Sequence, residues 1–184
     1  MTKTAVLFLA EGTEEMEFSI TYDVLVRGGI KASSVYVPAE GAPASPPTGM
    51  VIASRGVKLG VDTTLADLEK QGLAEVDALI VPGGVGGANT ISKSPGVLRL
   101  LKEAYDQGKI VGMICAGTLA ALEAQIGLNA FQYQESNVVV AGPLVTSRGP
   151  GTTFAFALTL VEKLVGAQVR QEITPPMMLS QEHL

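Results

Sequence analysis

The sequence predicts one α/β domain built on a mostly parallel, doubly wound sheet with helices on both faces. Three observations carry this. Short, unbroken apolar runs recur at 4–9 (TAVLFL), 77–81 (DALIV) and 109–114 (KIVGMI), the pattern of strands covered on both sides. Segments with apolar residues at helical spacing alternate with them. Polar or glycine-rich turns follow the strands directly, as they do where a parallel sheet presents its carboxyl ends to a ligand.

The first apolar run ends in AEGTEE, and Met16, Ile20, Val24 and Leu25 then recur at helical spacing until Gly28 and Gly29 supply the stop. Residues 31–37 read as a second strand, giving a β-α-β start. The stretch 38–48 (PAEGAPASPPT) is a surface loop, because proline cannot serve an internal ladder. Residues 51–61 fit a small hairpin around Arg55-Gly56 or a single bent strand. A short helix is expected at 65–69, then the strand 77–81 running into a glycine-rich turn, PGGVGGAN. A helix follows at 97–106, the strand 109–114, and a helix at 118–125. Two short β-prone runs, 138–140 and 144–145, precede a strongly apolar helix at 152–164.

At 184 residues with 47% hydrophobic content, the chain fits one domain, residues 1–184, with a sizeable core. Its 13 basic and 18 acidic residues give a net charge of −5 without a basic stripe, which argues against nucleic acid and anionic membrane as partners. No apolar run approaches the roughly 20 residues that span a bilayer, and MTKTAVLFLAEGTEE has no basic leader with a cleavage site. The expected compartment is the cytoplasm, with the nucleus as an alternative. A single cysteine excludes an internal disulfide and leaves free-thiol chemistry.

That cysteine, Cys115, sits in GMICAGT between a buried strand and a helix, where small neighbours allow a tight elbow. A thiol at a helix N-terminus is expected to have a lowered pKa; the plain alternative is a buried small hydrophobe. Gly83 and Gly84 offer amides which, with that of Ala116, could form an oxyanion hole. Their turn has neither the Walker lysine nor dinucleotide fingerprint spacing, so it is equally a structural turn. Among Glu11, Glu14, Glu15 and Glu17, most would serve the dipole of the first helix, while one buried beside the thiol would stay protonated and act as acid or base. Residue chemistry alone leaves that choice open. In SRGPGT, Pro150 suits a first helical position beside Arg148, where exposed amides would hold an anion or simply cap the helix.

Together, EGTEEMEF, VPGG, GMICAGT and TSRGPGT stand in the order and approximate spacing of the DJ-1/PfpI superfamily, and most resemble its Parkinsonism-associated deglycase branch over nearly the whole chain. The resemblance implies a flavodoxin-like fold, also described as class I glutamine amidotransferase-like, and a homodimer that needs no metal or cofactor. It implies a glyoxalase III-like or deglycase-like activity on small dicarbonyls such as methylglyoxal or on glycated proteins, or the role of an oxidative-stress sensor or chaperone. By motif, Cys115 resembles the nucleophile and Glu17 the protonated glutamate that contacts it. Gly83, Gly84 and Ala116 match the oxyanion-hole segments, and Arg27 and Arg55 resemble arginines near the site or the dimer contact. The family's histidine, usually followed by proline, has no counterpart. The segment that carries it in relatives is missing between Asn129 and Ala130, and the one histidine, His183, lies next to the C-terminus. Loss of that segment is expected to impair catalysis and weaken the sheet.

Overall fold

The computed structural model describes residues 1–127 and 134–180. Its elements are β1 (Thr4–Leu9), α1 (Glu15–Arg27), β2 (Lys31–Tyr36), β3 (Met50–Ile52), β4 (Lys58–Gly60), β5 (Thr63–Thr64), α2 (Leu65–Gln71), β6 (Ala78–Val81), α3 (Val85–Ser92), α4 (Pro95–Asp106), β7 (Ile110–Ile114), a 3₁₀ turn (Cys115–Thr118), α5 (Leu119–Glu123), β8 (Val138–Ala141), β9 (Leu144–Ser147), α6 (Thr153–Val165) and α7 (Ala167–Ile173). The main sheet has the order β5-β2-β1-β6-β7-β9-β8, parallel throughout except for the antiparallel β8–β9 pair. This is the doubly wound arrangement expected from the apolar runs, and the flavodoxin-like one that the family resemblance implies.

Strand β1 divides its side chains between two cores. Val6 and Phe8 join the layer under α2 and α4, with Leu68, Leu100 and Leu101, while Ala5, Leu7 and Leu9 join that under α1 and α6, with Leu25, Phe156 and Leu160. A strand that feeds both layers has no polar face, which is why its sequence is a continuous apolar run.

Residues 51–61 resolve as the hairpin, with Val51 opposite Leu59. The turn PGGVGGAN is corrected: Val85–Ser92 is a helix, entered from Gly84 at φ 84°. Its glycines have poor helix propensity, but a Cβ at Gly87 would lie 2.7 Å from the Thr13 Cα and N, so only glycine lets α3 dock on the first loop. Helix α5 is shorter than the 118–125 expectation, since a 3₁₀ turn occupies its first residues. Helix α7 was not legible in the sequence. Among the described residues, no helix is long and apolar enough to cross a membrane.

Candidate functional site

Strands β1, β6 and β7 are neighbours in the sheet, so the loops at their carboxyl ends, 10–14, 82–84 and 115–118, converge. Cys115 stands at the end of β7 with φ 55°, a left-handed conformation that costs an ordinary residue about 1–2 kcal/mol. The surroundings hold it there. Thr118 Oγ1 donates to the Cys115 carbonyl at 2.7 Å, and Gly117 packs so closely on the Val81 and Pro82 carbonyls that no Cβ would fit. The result is the expected elbow, with a half-buried thiol.

Glu17, on the first turn of α1, is fully buried, and its Oε2 accepts a 2.6 Å hydrogen bond from the Gly83 N–H. Among the described residues its Oε1 has no partner at ordinary hydrogen-bond geometry, and of the ionisable side chains Cys115 and Glu14 act on it, the thiol favouring the carboxylate and the Glu14 charge opposing it. Burial raises the Glu17 pKa to about 7, with the Glu14 charge adding to the shift and the Gly83 amide opposing it. The structure thus selects Glu17 from the acidic cluster as the carboxyl beside the thiol.

Two expectations need correction. The Cys115 thiol is pushed up, not down: burial is the largest cause, the Glu17 charge follows, and the Ala116 amide opposes them. Helix α5 has only five residues, too few to supply the dipole that the expectation relied on. The second correction concerns Gly83. Its N–H is committed to Glu17 and is not free to hold an oxyanion; a Cβ there would lie 2.5 Å from Glu17 Oε2 and 2.9 Å from Cys115 Cβ. Gly83 is therefore the spacer that lets acid and thiol meet. Gly84 and Ala116 remain at the surface of a pocket of about 590 Å³ with Cys115, Glu14, Arg55 and Pro150.

The three arginines separate. Arg55 lines this pocket. Arg27 lies in the last turn of α1, paired with Asp23 at 2.6 Å, and is not part of the lining. Arg148 donates to the Glu135 carbonyl at 3.1 Å and leaves the pocket wall to Pro150.

The other glutamates have distinct duties that the sequence did not separate. Glu14 caps α1 by accepting from the Glu17 N–H at 2.8 Å; the spacing of the pair, three residues, is the available signal. Glu15 accepts from Ser54 Oγ at 2.6 Å and from the Arg55 N–H at 2.7 Å, and Glu11 accepts from the Ile52 N–H at 3.0 Å. With Gly12 N–H to Ile52 O and Ser54 N–H to Thr13 O, they fasten the β3–β4 hairpin along one side of the pocket. The junction of Asn129 and Ala130, and His183, lie outside the described residues.

This geometry has counterparts. The chain is 37% identical to the Parkinson disease protein 7 homolog of Danio rerio over 194 residues, covering 96% of this chain and 97% of that protein. It is 31% identical over 194 residues to a glutathione-independent glyoxalase of Caenorhabditis elegans, covering 97% of each. The crystal structure of Drosophila melanogaster DJ-1beta superposes with a TM-score of 0.85 at 32% identity, covering 98% of this chain and all of that one. The model of the DJ-1/PfpI family matches residues 3–163, which include the cysteine elbow, the buried glutamate and the glycine spacer between them. On this evidence the chain belongs to the DJ-1/PfpI family.

Proposed function

We propose that the protein is a glyoxalase III-like or deglycase-like enzyme acting on small dicarbonyls such as methylglyoxal, or on the adducts they leave on proteins, through Cys115. The observation that carries this reading is the pairing of a pocket-lining thiol, held at φ 55°, with a fully buried carboxyl, Glu17, whose pKa burial pushes up to about 7. Glu17 exchanges a proton with the thiol, whose thiolate adds to the aldehyde carbon, and the Ala116 amide faces the charge that develops. The relatives named glutathione-independent glyoxalases in Caenorhabditis elegans and Schizosaccharomyces pombe support the substrate class. Without the family's histidine-bearing segment, turnover falls below that of relatives, since a lost general acid or base is worth about 10²–10⁴-fold. The test is lactate formation from methylglyoxal by the wild type, Cys115→Ser and a version with that segment restored between Asn129 and Ala130. Lactate from Cys115→Ser at the wild-type rate would refute the thiol mechanism; equal rates for wild type and restored version would refute the histidine argument.

A second reading, a noncatalytic oxidative-stress sensor or chaperone, is favoured by the same Glu17. Buried beside the thiol, Glu17 when protonated would donate from Oε1 to an oxygen of a Cys115 sulfinate, and no second cysteine exists to divert a sulfenate into an intramolecular disulfide. Mild peroxide then adds two oxygens to the protein by intact mass, and absence of that adduct refutes the sensor.

The assembly proposed is a homodimer through the outer face of α1 and the hairpin, where Met16, Val26, Met50, Ile52 and Val57 are exposed. The cytoplasm, with the nucleus as alternative, is the proposed compartment, on the strength of the single free thiol.

A further inference from the structure

Converting a dicarbonyl to a hydroxy acid requires a proton to leave one carbon and arrive at its neighbour, so a proton carrier must face the bound substrate. Glu17 does not. It is fully buried, reaches the thiol from the protein interior, and is absent from the pocket lining. Among the described residues that line the pocket, the one carboxyl is that of Glu14.

Glu14 is placed by three restraints. Its N–H donates to the Gly83 carbonyl at 3.0 Å, its carbonyl accepts from Phe18 N–H at 3.1 Å, and its Oε2 accepts from the Glu17 N–H at 2.8 Å. The backbone bonds fix the residue in the pocket wall and the third holds its Oε2, while its Oε1 accepts no hydrogen bond from a described residue. Glu14 is near enough to raise the pKa of Glu17 and of Cys115 through its charge. The remaining ionisable groups at this pocket are Cys115 itself and Arg55, with Glu15 held behind the wall on Ser54 and Arg55.

We infer that Glu14 is a catalytic residue of this site, the base that carries the substrate's carbon-bound proton, and that the two carboxyls divide the work: Glu17 serves the thiol and Glu14 the substrate. The inference rests on the glyoxalase reading above. The Cys115 thiolate adds to the aldehyde carbon of methylglyoxal to give a hemithioacetal. Glu14 removes the hydrogen on that carbon as a proton, and the electron pair left behind forms the double bond of an enediol. The same carboxyl returns the proton to the adjacent carbon while the hydroxyl proton passes from the first oxygen to the second. One carbon is oxidised as its neighbour is reduced, so no outside oxidant or reductant enters. The product is a lactoyl thioester on Cys115, which water hydrolyses to lactate and free thiol.

Four proteins decide it. Glu14→Gln and Glu14→Ser each keep a side-chain oxygen able to cap α1 but lose the carboxylate; Glu14→Asp keeps both functions with a shorter reach. Lactate formation should fall by about 10²–10⁴-fold in Glu14→Gln and Glu14→Ser and return in part in Glu14→Asp. Methylglyoxal should still protect Cys115 from iodoacetamide in all of them, and alkylation without methylglyoxal should be faster in Glu14→Gln than in wild type, because a negative charge near the thiol is gone. A merely structural cap predicts the reverse pattern: near-normal turnover in Glu14→Gln, or loss of protection together with turnover. Either result overturns the inference, as would full activity in Glu14→Ser. A wild type that forms no lactate overturns the glyoxalase reading and this inference with it, whereas activity in both wild type and Glu14→Gln overturns the inference alone.

Discussion

Glu14, Glu15 and Glu17 have the same chemistry within four positions, and the turn of α1 gives each a different neighbour. Position 17 points inward, where burial raises its pKa from 4.5 to about 7. A raised carboxyl pKa means that the native state binds the proton more tightly than the unfolded chain. Stability therefore falls as pH rises from about 4.5 to about 7, by about 3 kcal/mol in all at 1.36 kcal/mol per pKa unit. Glu17→Gln, a neutral acceptor of similar shape, should flatten that slope and be more stable than wild type at pH 8 in urea titrations. An unchanged slope would mean that Glu17 is not the titrating group. The thiol has its own test: the pH midpoint of iodoacetamide alkylation at Cys115 should lie above the ordinary value of about 8.5, as burial and the nearby carboxylates require. A midpoint below it would restore the dipole argument.

At the scale of elements, two joints position the site. Helix α3 meets the first loop through Gly87, where an added methyl would lie 2.5 Å from Thr13 Oγ1 and 2.7 Å from its backbone, atoms that cannot all withdraw. Gly87→Ala should cost about 1–3 kcal/mol as overpacking. Gly86→Ala, whose nearest neighbours would be 3.3 Å away, gains helix propensity and should be close to neutral. Equal urea midpoints for the two would contradict the close-approach account of this glycine-rich helix. The second joint is the hairpin, fastened by Glu15 to Ser54 and Arg55. Cutting it with Glu15→Ala should speed limited proteolysis within 53–57 while leaving alkylation of Cys115 within a few-fold of wild type. Resistance equal to wild type would show that Glu11 and the backbone bonds suffice.

Over the whole molecule, two cores cover the main sheet, and α1 and the hairpin carry five exposed apolar side chains, Met16, Val26, Met50, Ile52 and Val57. A face of that kind on a folded chain is the expected signature of a self-association surface. Light scattering should give twice the monomer mass, and Val26→Glu, on the exposed side of α1, should give the monomer without unfolding it. A monomeric wild type at micromolar concentration would remove the dimer.

The sheet, the elbow at Cys115 and the family are legible in the amino-acid order alone, because strands buried on both faces must be apolar throughout and a strand-to-helix turn needs small residues beside it. Those are local constraints, written in contiguous positions. Residue chemistry alone left four glutamates unranked, Glu17 being singled out only by the family motif, and it offered a glycine run that reads as a turn. Tertiary structure ranked them: the Gly83 amide is 66 residues from Glu17 in the chain and meets it at 2.6 Å, while Gly87 is required only because Thr13 stands against it. The direction of the thiol's pKa was decided in the same way. Local sequence offered a helix N-terminus, which would favour the anion, but the helix that forms is too short to supply that dipole, and burial and two carboxylates brought in by the fold push the pKa up, because desolvation and charge act through space and not along the chain.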